Sequence, residues 1–345
     1  MKISRVYFVC RRCRVGGYPL DGRLGIDGSA SRQARRLMCL AGASWSFDRA
    51  SQHLKELSGL RVSDNTIRHA CQVEATAMSQ WQRESPTVRQ TYRQAAGDAE
   101  FCTDGTTVNT WEGWREMRVG IFAKRHRGEP ASVQDWHQRS LPAPHVRVVF
   151  AAIENSKRFG SRWGQWASRL GIHDTTKLSV LADGAKWIWE EAEMHFAGAE
   201  GVLDIYHALE HVGDTAKVLY GEGTAKAETW RNAGRDALLA GAWLKFREHL
   251  RTTKRHFRRS PTKAAALTAL QNYFRRQKDH LHYPRRLAEG RAIGSGQVEG
   301  ACKHLVGRRL KQTGARWRVR RVNRMAILVG MIYGDLWDQY WSVAS

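Results

Sequence analysis

The chain has 345 residues, of which 42% are hydrophobic, and carries a formal net charge of +23 from 56 Lys and Arg against 33 Asp and Glu. That length holds two or three small domains, or one with an insertion, and the fourteen Trp residues supply ample core. A charge excess this large argues against a protein without an acidic partner: it suits a polyanion, with an acidic membrane surface as the rival.

A bilayer span needs about 18 apolar residues in a row, and no such run exists. The longest apolar stretch, 325–333, is too short and follows an arginine-rich segment, which predicts a buried helix. The opening residues do not read as a signal peptide. Six cysteines lie scattered at 10, 13, 39, 71, 102 and 302. That is sparse for a disulfide scaffold and fits a reducing cytosol.

In chain order, residues 6–9 predict a short strand running into the knuckle Cys10-Arg11-Arg12-Cys13. A knuckle supplies two of the four ligands of a structural zinc site. No second knuckle follows nearby, so Cys10 and Cys13 are either a zinc half-site or free thiols. Next, Phe47, Ala50, Leu54 and Leu57 fall on one helical face behind the N-cap Ser46, and Ser58-Gly59 ends that helix. Ser63 caps a second helix bearing Ile67, Ala70, Cys71 and Glu74. Helix, short Gly-containing turn and capped helix outline a helix-turn-helix, which would turn Asp64, Asn65, Arg68 and His69 toward a major groove. A plain helical hairpin is the alternative.

Pro86 and the polar run 90–97 mark a boundary, after which the pattern becomes strand-like. Residues 100–108, 116–123 and 147–153 predict three strands. Phe159, Trp163, Trp166 and Leu170 then form a buried helical stripe. Residues 178–184 predict a fourth strand ending on Asp183-Gly184, a helix follows at 185–192, and residues 201–207 predict a fifth strand before a helix at 208–220. This order is α/β, with the later strands parallel, and such sheets gather chemistry at the carboxyl ends of their strands. Residues 222–291 read as helical and strongly basic, with Arg255 and Arg258 in the densest part, a candidate nucleic-acid contact or else a solvated face.

The stretch 293–317 holds a lone acid, Glu299, which opens a helix after Gly294-Ser295-Gly296. No other acid occurs before Asp335, while Lys303, Arg308, Arg309, Lys311, Arg316, Arg318, Arg320, Arg321 and Arg324 fill the interval. Asp104, Asp183 and Glu299 stand out as three acids: two end or interrupt strands beside a Gly, and the third starts a helix. Magnesium is held by one or two carboxylates and completed by water and phosphate, and two such ions about 4 Å apart clamp both oxygens of a phosphodiester displacement. Taken singly, each acid has a plain reading: Asp-Gly is a common turn, and Glu299 suits a helix N-terminus.

The blocks 104–108, 182–189, Asp204-Ile205-Tyr206-His207, and 294–299 running on through 309–317 resemble those of bacterial insertion-sequence transposases of the ISKra group. More broadly they resemble DDE transposases, including the Mutator-like ones. The knuckle, residues 17–21 and the helical pair at 46–75 extend the likeness over nearly the whole chain. It implies an α/β ribonuclease-H-like catalytic core, a mixed five-stranded sheet with helices, plus an N-terminal helix-turn-helix region and an all-helical insertion. The implied segments are a zinc-ribbon remnant and linker at 1–45, the helix-turn-helix region at 46–95, the first part of the core at 96–221, the basic insertion at 222–292 and completing helices at 293–345. Members of the group carry more sequence before the first cysteine pair, an apparently fuller zinc-binding region.

The resemblance implies metal-dependent DNA strand cleavage and strand transfer. Asp104, Asp183 and Glu299 match the three acids, holding two Mg2+ or Mn2+ ions. Asp204 and His207 match a supporting signature, with Asp204 the rival for second acid, and Lys303 would lie near the scissile phosphate. Asn65, Arg68, His69, Arg255, Arg258, Arg308, Arg309, Lys311 and Arg316 are the candidate contacts to double-stranded DNA, both element ends and target. Zn2+ at Cys10 and Cys13, a homodimer or larger assembly on DNA, no membrane partner and a bacterial cytoplasmic, nucleoid-associated setting complete the expectation. A ribonuclease-H-like nuclease that cuts without joining, or a non-catalytic DNA-binding protein derived from a transposase, are the alternatives.

Overall fold

Hydrophobic runs too short for helices and flanked by Gly or Asp become the buried strands of this chain, and amphipathic stripes of period 3.6 become the helices that cover them. The computed structural model describes residues 6–23, 26–27, 30–172 and 177–342. The signal-peptide reading of the opening residues falls partly on 1–5, and parts of the expected linker (24–25, 28–29), core (173–176) and last segment (343–345) likewise lie outside the described residues. Two compact units emerge. The first draws on Met1–Glu84, Val108–Arg115 and His304–Ser345, and the second on Ser85–Thr107 and Glu116–Lys303.

In the first unit, β1 (Phe8–Val9) pairs antiparallel with β2 (Gly16–Gly17) around the cysteine knuckle. After α1 (Pro19–Arg23), β3 (Ile26–Asp27) pairs with β4 (Ala30–Ser31). Then come α2 (Arg32–Ser44), α3 (Phe47–Ser58) and α4 (Asp64–Glu84), which pack on one another. The expected caps form: Ser46 accepts from the Arg49 N–H, and Ser63 from the Thr66 N–H at 3.1 Å. Gly59 closes α3 at φ +69°, a left-handed turn that glycine adopts without strain. The apolar face of α3 stops at Leu54, and Leu57 is 76% exposed where the chain turns away. Buried Glu74 is matched by Arg35 at 2.9 Å and by the Tyr340 hydroxyl at 2.8 Å.

The second unit begins with α5 (Pro86–Gln94) and continues with β5 (Asp98–Thr110), β6 (Gly113–Arg125) and β7 (Val146–Ala152). Next are α6 (Ser156–Leu170), β8 (Leu178–Ala182), α7 (Lys186–His195) and β9 (Glu200–Leu203). Helices follow: α8 (Ile205–Tyr220), α9 (Ala225–His256, kinked at Gly241 and Ala242), α10 (Pro261–Arg276), α11 (Tyr283–Ala288) and α12 (Gly296–Ala301). A π-helical stretch, Cys302–Arg308, leads out of α12, and α13 (Val319–Tyr333) and α14 (Trp337–Ser342) close the chain in the first unit. There α13 packs on α4 and α2.

The five strands form one mixed sheet in the order β7-β6-β5-β8-β9. β7 is antiparallel to β6, whereas β8 is parallel to both β5 and β9. β5 and β6 are joined by a two-residue turn and therefore form an antiparallel hairpin. Every residue of β8 is buried, as a central parallel strand requires. The stripe Phe159, Trp163, Trp166 and Leu170 is buried against this sheet, with the Trp163 ring 4.8 Å from that of Phe101. A second core joins α8 to α10 through Val212, Leu238, Phe246, Leu267 and Phe274. Among the described residues no helix is long and apolar enough to cross a membrane.

Candidate active site

The middle of β5 and the carboxyl ends of β8 and β9 lie side by side in the second unit. Cys102 pairs with Leu181 and Ala182 with Leu203. The β5–β8 pairing ends at Cys102–Leu181, so Asp104 and Asp183 each lie two residues beyond its last pair. Asp104 is half-buried, and its Oδ1 accepts from the Gly105 N–H at 2.6 Å. Burial pushes its carboxyl above the usual range, and the charges of Asp183, Glu299 and Asp204 push it the same way against the Gly105 hydrogen bond. Four acids from separate parts of the chain thus share one electrostatic neighbourhood.

Asp183 follows β8 directly, and its Oδ1 accepts from the Ala185 N–H at 2.9 Å. Gly184 next to it has φ +88°, and a Cβ there would come within 2.6 Å of Leu203 Cδ1. This turn is held from the helical region. Gln277 donates to the Gly184 carbonyl at 2.8 Å and accepts from Trp189 Nε1 at 2.8 Å. Burial raises the Tyr273 hydroxyl's pKa, with Asp183 and Asp204 adding to the effect. Neither Tyr273 nor Gln277 was a sequence candidate. Only the Asp-Gly turn hinted that something must brace it.

Glu299 sits in α12, and two side chains fasten that short helix. Ser295 donates from both its N–H and its hydroxyl to Asp204 Oδ2, each at 2.5 Å. Gln297 donates to Glu100 Oε2 at 2.7 Å, and buried Glu100 is in turn paired with Arg125 at 2.9 Å. Cys302 Sγ lies 3.9 Å from Asp104 Oδ2.

Asp204, the rival second acid, is 2% exposed. Its Oδ1 caps α8 by accepting from the N–H groups of Tyr206 (2.7 Å) and His207 (3.1 Å), while Oδ2 is taken by Ser295. Both oxygens are occupied, which fits a positioning role and leaves Asp183 as the more open carboxylate. His207 faces Glu210 at 3.2 Å. The expected fifth strand at 201–207 ends at Leu203 because Asp204 starts the helix there.

The basic candidates divide by exposure. Asn65, His69, Arg255, Arg258, Lys303, Arg308, Lys311 and Arg316 are exposed, and Arg68 is half-buried with a hydrogen bond to Asn65 at 2.7 Å. Arg68 and His69 line a concavity of about 340 Å3 with Arg318, Arg320, Arg321 and Arg324. Arg309 does not join this surface. It is 3% exposed, donates to the Gly42 carbonyl at 2.7 Å, and lies between the rings of Phe47 (4.9 Å) and Trp317 (5.1 Å). Burial lowers its pKa to about 10. The expectation that Arg309 contacts a DNA phosphate is corrected accordingly: its guanidinium is enclosed within the first unit.

Cys10 and Cys13 are exposed, and the N–H groups of Cys13 and Arg12 lower the Cys10 thiol's pKa. Among the described residues no group of three or more His, Cys, Asp and Glu side chains is arranged to hold a metal ion. Zinc at the knuckle would therefore have only these two described ligands. The acids Asp104, Asp183, Glu299 and Asp204 offer hard carboxylate oxygens, the donor type a divalent cation takes, but they too are not arranged as a metal-binding group among the described residues. No protein-family model matches the chain, and no curated protein matches it.

Proposed function

We propose that the chain is a DDE-type DNA transposase, catalysing metal-dependent strand cleavage and strand transfer. The observation that carries this reading is that half-buried Asp104 lies within electrostatic reach of Asp183, Glu299 and Asp204, acids spread over almost 200 residues of sequence. The sheet supports it. Numbered by sequence within the sheet, its order is 3-2-1-4-5 with the second strand antiparallel, which agrees with a ribonuclease-H-like core. The α3–α4 pair is read as the helix-turn-helix, and the exposed basic residues of the first unit as a contact to duplex DNA.

In this reading Asp104, Asp183 and Glu299 would hold Mg2+ or Mn2+, which when bound would supply Lewis-acid stabilisation of charge on the phosphodiester oxygens, and Asp204 positions α12 through Ser295. The residues of the chain hold and orient: Gln277 fixes the turn bearing Asp183, and Gln297 fixes the helix bearing Glu299. Exposed Lys303 is the basic residue next in sequence to that helix. Joining two DNA ends calls for a dimer or larger assembly.

The test is DNA cleavage and binding by Asp183→Asn and Glu299→Gln. Both should bind duplex DNA like the parent and lose cleavage in Mg2+. Equal loss of binding in these variants would defeat the catalytic assignment. Affinity for duplex should also fall with salt at a log–log slope near −0.9 per neutralised phosphate.

A further inference from the structure

The first unit carries a cavity of about 380 Å3 that the cleavage chemistry does not use, and Trp111, Gln72, Arg309, Arg316, Arg318 and Arg321 are on its wall. A volume of this order accommodates a small organic ligand. Trp111 is 60% exposed, yet it is not loosely held. It stands at the tip of the β5–β6 hairpin, where its N–H donates to the Trp317 carbonyl at 2.9 Å and the Trp317 N–H donates to the Asn109 carbonyl at 3.2 Å. The Arg318 guanidinium sits over its ring at 5.2 Å. A large aromatic fixed outward in a tied turn offers a stacking face at a cost in exposed apolar area.

Two buried polar atoms on the same wall have no hydrogen-bond partner among the described residues. Gln72 is 7% exposed, and its Oε1 is unpaired while Nε2 donates to the Arg321 carbonyl at 3.4 Å. Because that carbonyl can only accept, the amide is oriented with its oxygen left over. Arg309 Nη2 is likewise buried and unpaired, although Nε is bonded to Gly42. Both atoms belong to residues that line the cavity but are themselves covered, so they are left as costly buried groups behind its wall. Positive charge is also unbalanced here. Arg321 has its pKa lowered by burial and then by the charges of Arg68 and Arg318.

We propose that this cavity receives one unpaired nucleotide of a DNA strand, with its base stacked on Trp111 and its phosphate held by Arg316, Arg318 and Arg321. Stacking on an aromatic or guanidinium plane is how single-stranded bases are held. The inference rests on the reading that the partner is DNA, but it requires none of the three acids.

The experiment is fluorescence anisotropy with a labelled single-stranded 12-mer and a blunt duplex of the same sequence, in chelator at fixed salt. The proteins are the full chain and its Trp111→Ala, Trp111→Phe and Arg255→Ala variants. Trp111→Ala should weaken single-strand binding about tenfold or more and leave duplex binding within about twofold. Trp111→Phe should recover most of the loss, and Arg255→Ala should affect both DNA forms alike. An equal change in both forms for Trp111→Ala, or no change in either, would overturn the nucleotide pocket while leaving the cleavage reading intact. Failure of the parent to bind either form would overturn the DNA reading and the pocket together. Circular dichroism of Trp111→Ala guards against a folding defect. If that variant is unfolded, Arg316→Ala must show the same preferential loss for single strand, and its absence would refute the pocket.

Discussion

Replacing Asp204 by Ala separates a positioning carboxylate from a catalytic one. The side chain is 2% exposed and accepts four hydrogen bonds, two from the first turn of α8 and two from Ser295. Losing the helix cap costs about 1 kcal/mol. Ser295 is itself buried, so its N–H and hydroxyl would each be left without an acceptor at about 1–2 kcal/mol apiece. The expected loss is about 3–5 kcal/mol in unfolding free energy. Urea unfolding followed by far-ultraviolet circular dichroism measures it, with Asp183→Asn as the comparison. Asp183 Oδ1 makes one local bond, to the Ala185 N–H, so that variant should stay within about 1 kcal/mol of the parent. A loss below about 1 kcal/mol for Asp204→Ala would refute the positioning role and restore Asp204 as a second acid.

Two further outcomes follow from the same structure. Asp104 has a raised pKa, so its ionised form opposes folding: the favourable contribution of its protonated form is present below the unfolded value and is lost as pH rises through the folded one. Asp104→Asn should therefore raise the melting temperature in chelator at neutral pH, with the gain over the parent closing as the pH is lowered and Asp104 protonates. A variant less stable than the parent at neutral pH would contradict the crowding. Arg309→Ala removes a desolvated guanidinium from between Phe47 and Trp317 and leaves the Gly42 carbonyl unpaired, for an expected loss of about 3 kcal/mol in thermal or urea unfolding. Weaker duplex binding with unchanged stability would show instead that Arg309 is a phosphate contact.

Elements whose stabilising pattern is local were legible in the sequence. The stripe from Phe159 to Leu170 occupies the residues expected of it, and the fourth strand begins at Leu178 as expected but stops at Ala182, two residues short, because Asp183 turns the chain there. The fifth strand was drawn too long. Asp204 looked like the end of a strand, while its decisive partner, Ser295, lies 91 positions away. The brace on Asp183 was invisible for the same reason: Gln277 reaches the Gly184 carbonyl from 93 positions along the chain. The pairing of α13 with α4 is equally non-local. The acids themselves stood out because each interrupts a regular pattern beside a glycine or a helix start, but that Asp183, Glu299 and Asp204 all act on Asp104 is a product of non-local packing.

The basic residues show a different limit. Arg309 stands in a run of Lys and Arg that reads as a solvated face, yet it is enclosed by two aromatic rings. Arg286 is wholly buried and is matched by Glu200, Ser179 and the Ala292 carbonyl. Arg125 is paired with Glu100. Charge density along a sequence does not say which cations face water, since Arg combines a hydrophobic stem with a planar head that stacks on aromatics and pairs with acids. The distinction bears on the partner. A buried Arg–Glu pair removes one charge of each sign from the surface, so such pairs leave the excess of +23 where it was. The excess remains among residues that face solvent, Arg255, Arg258, Arg316, Arg318 and Arg320 among them. A polyanion can neutralise it there and release its own counterions in doing so.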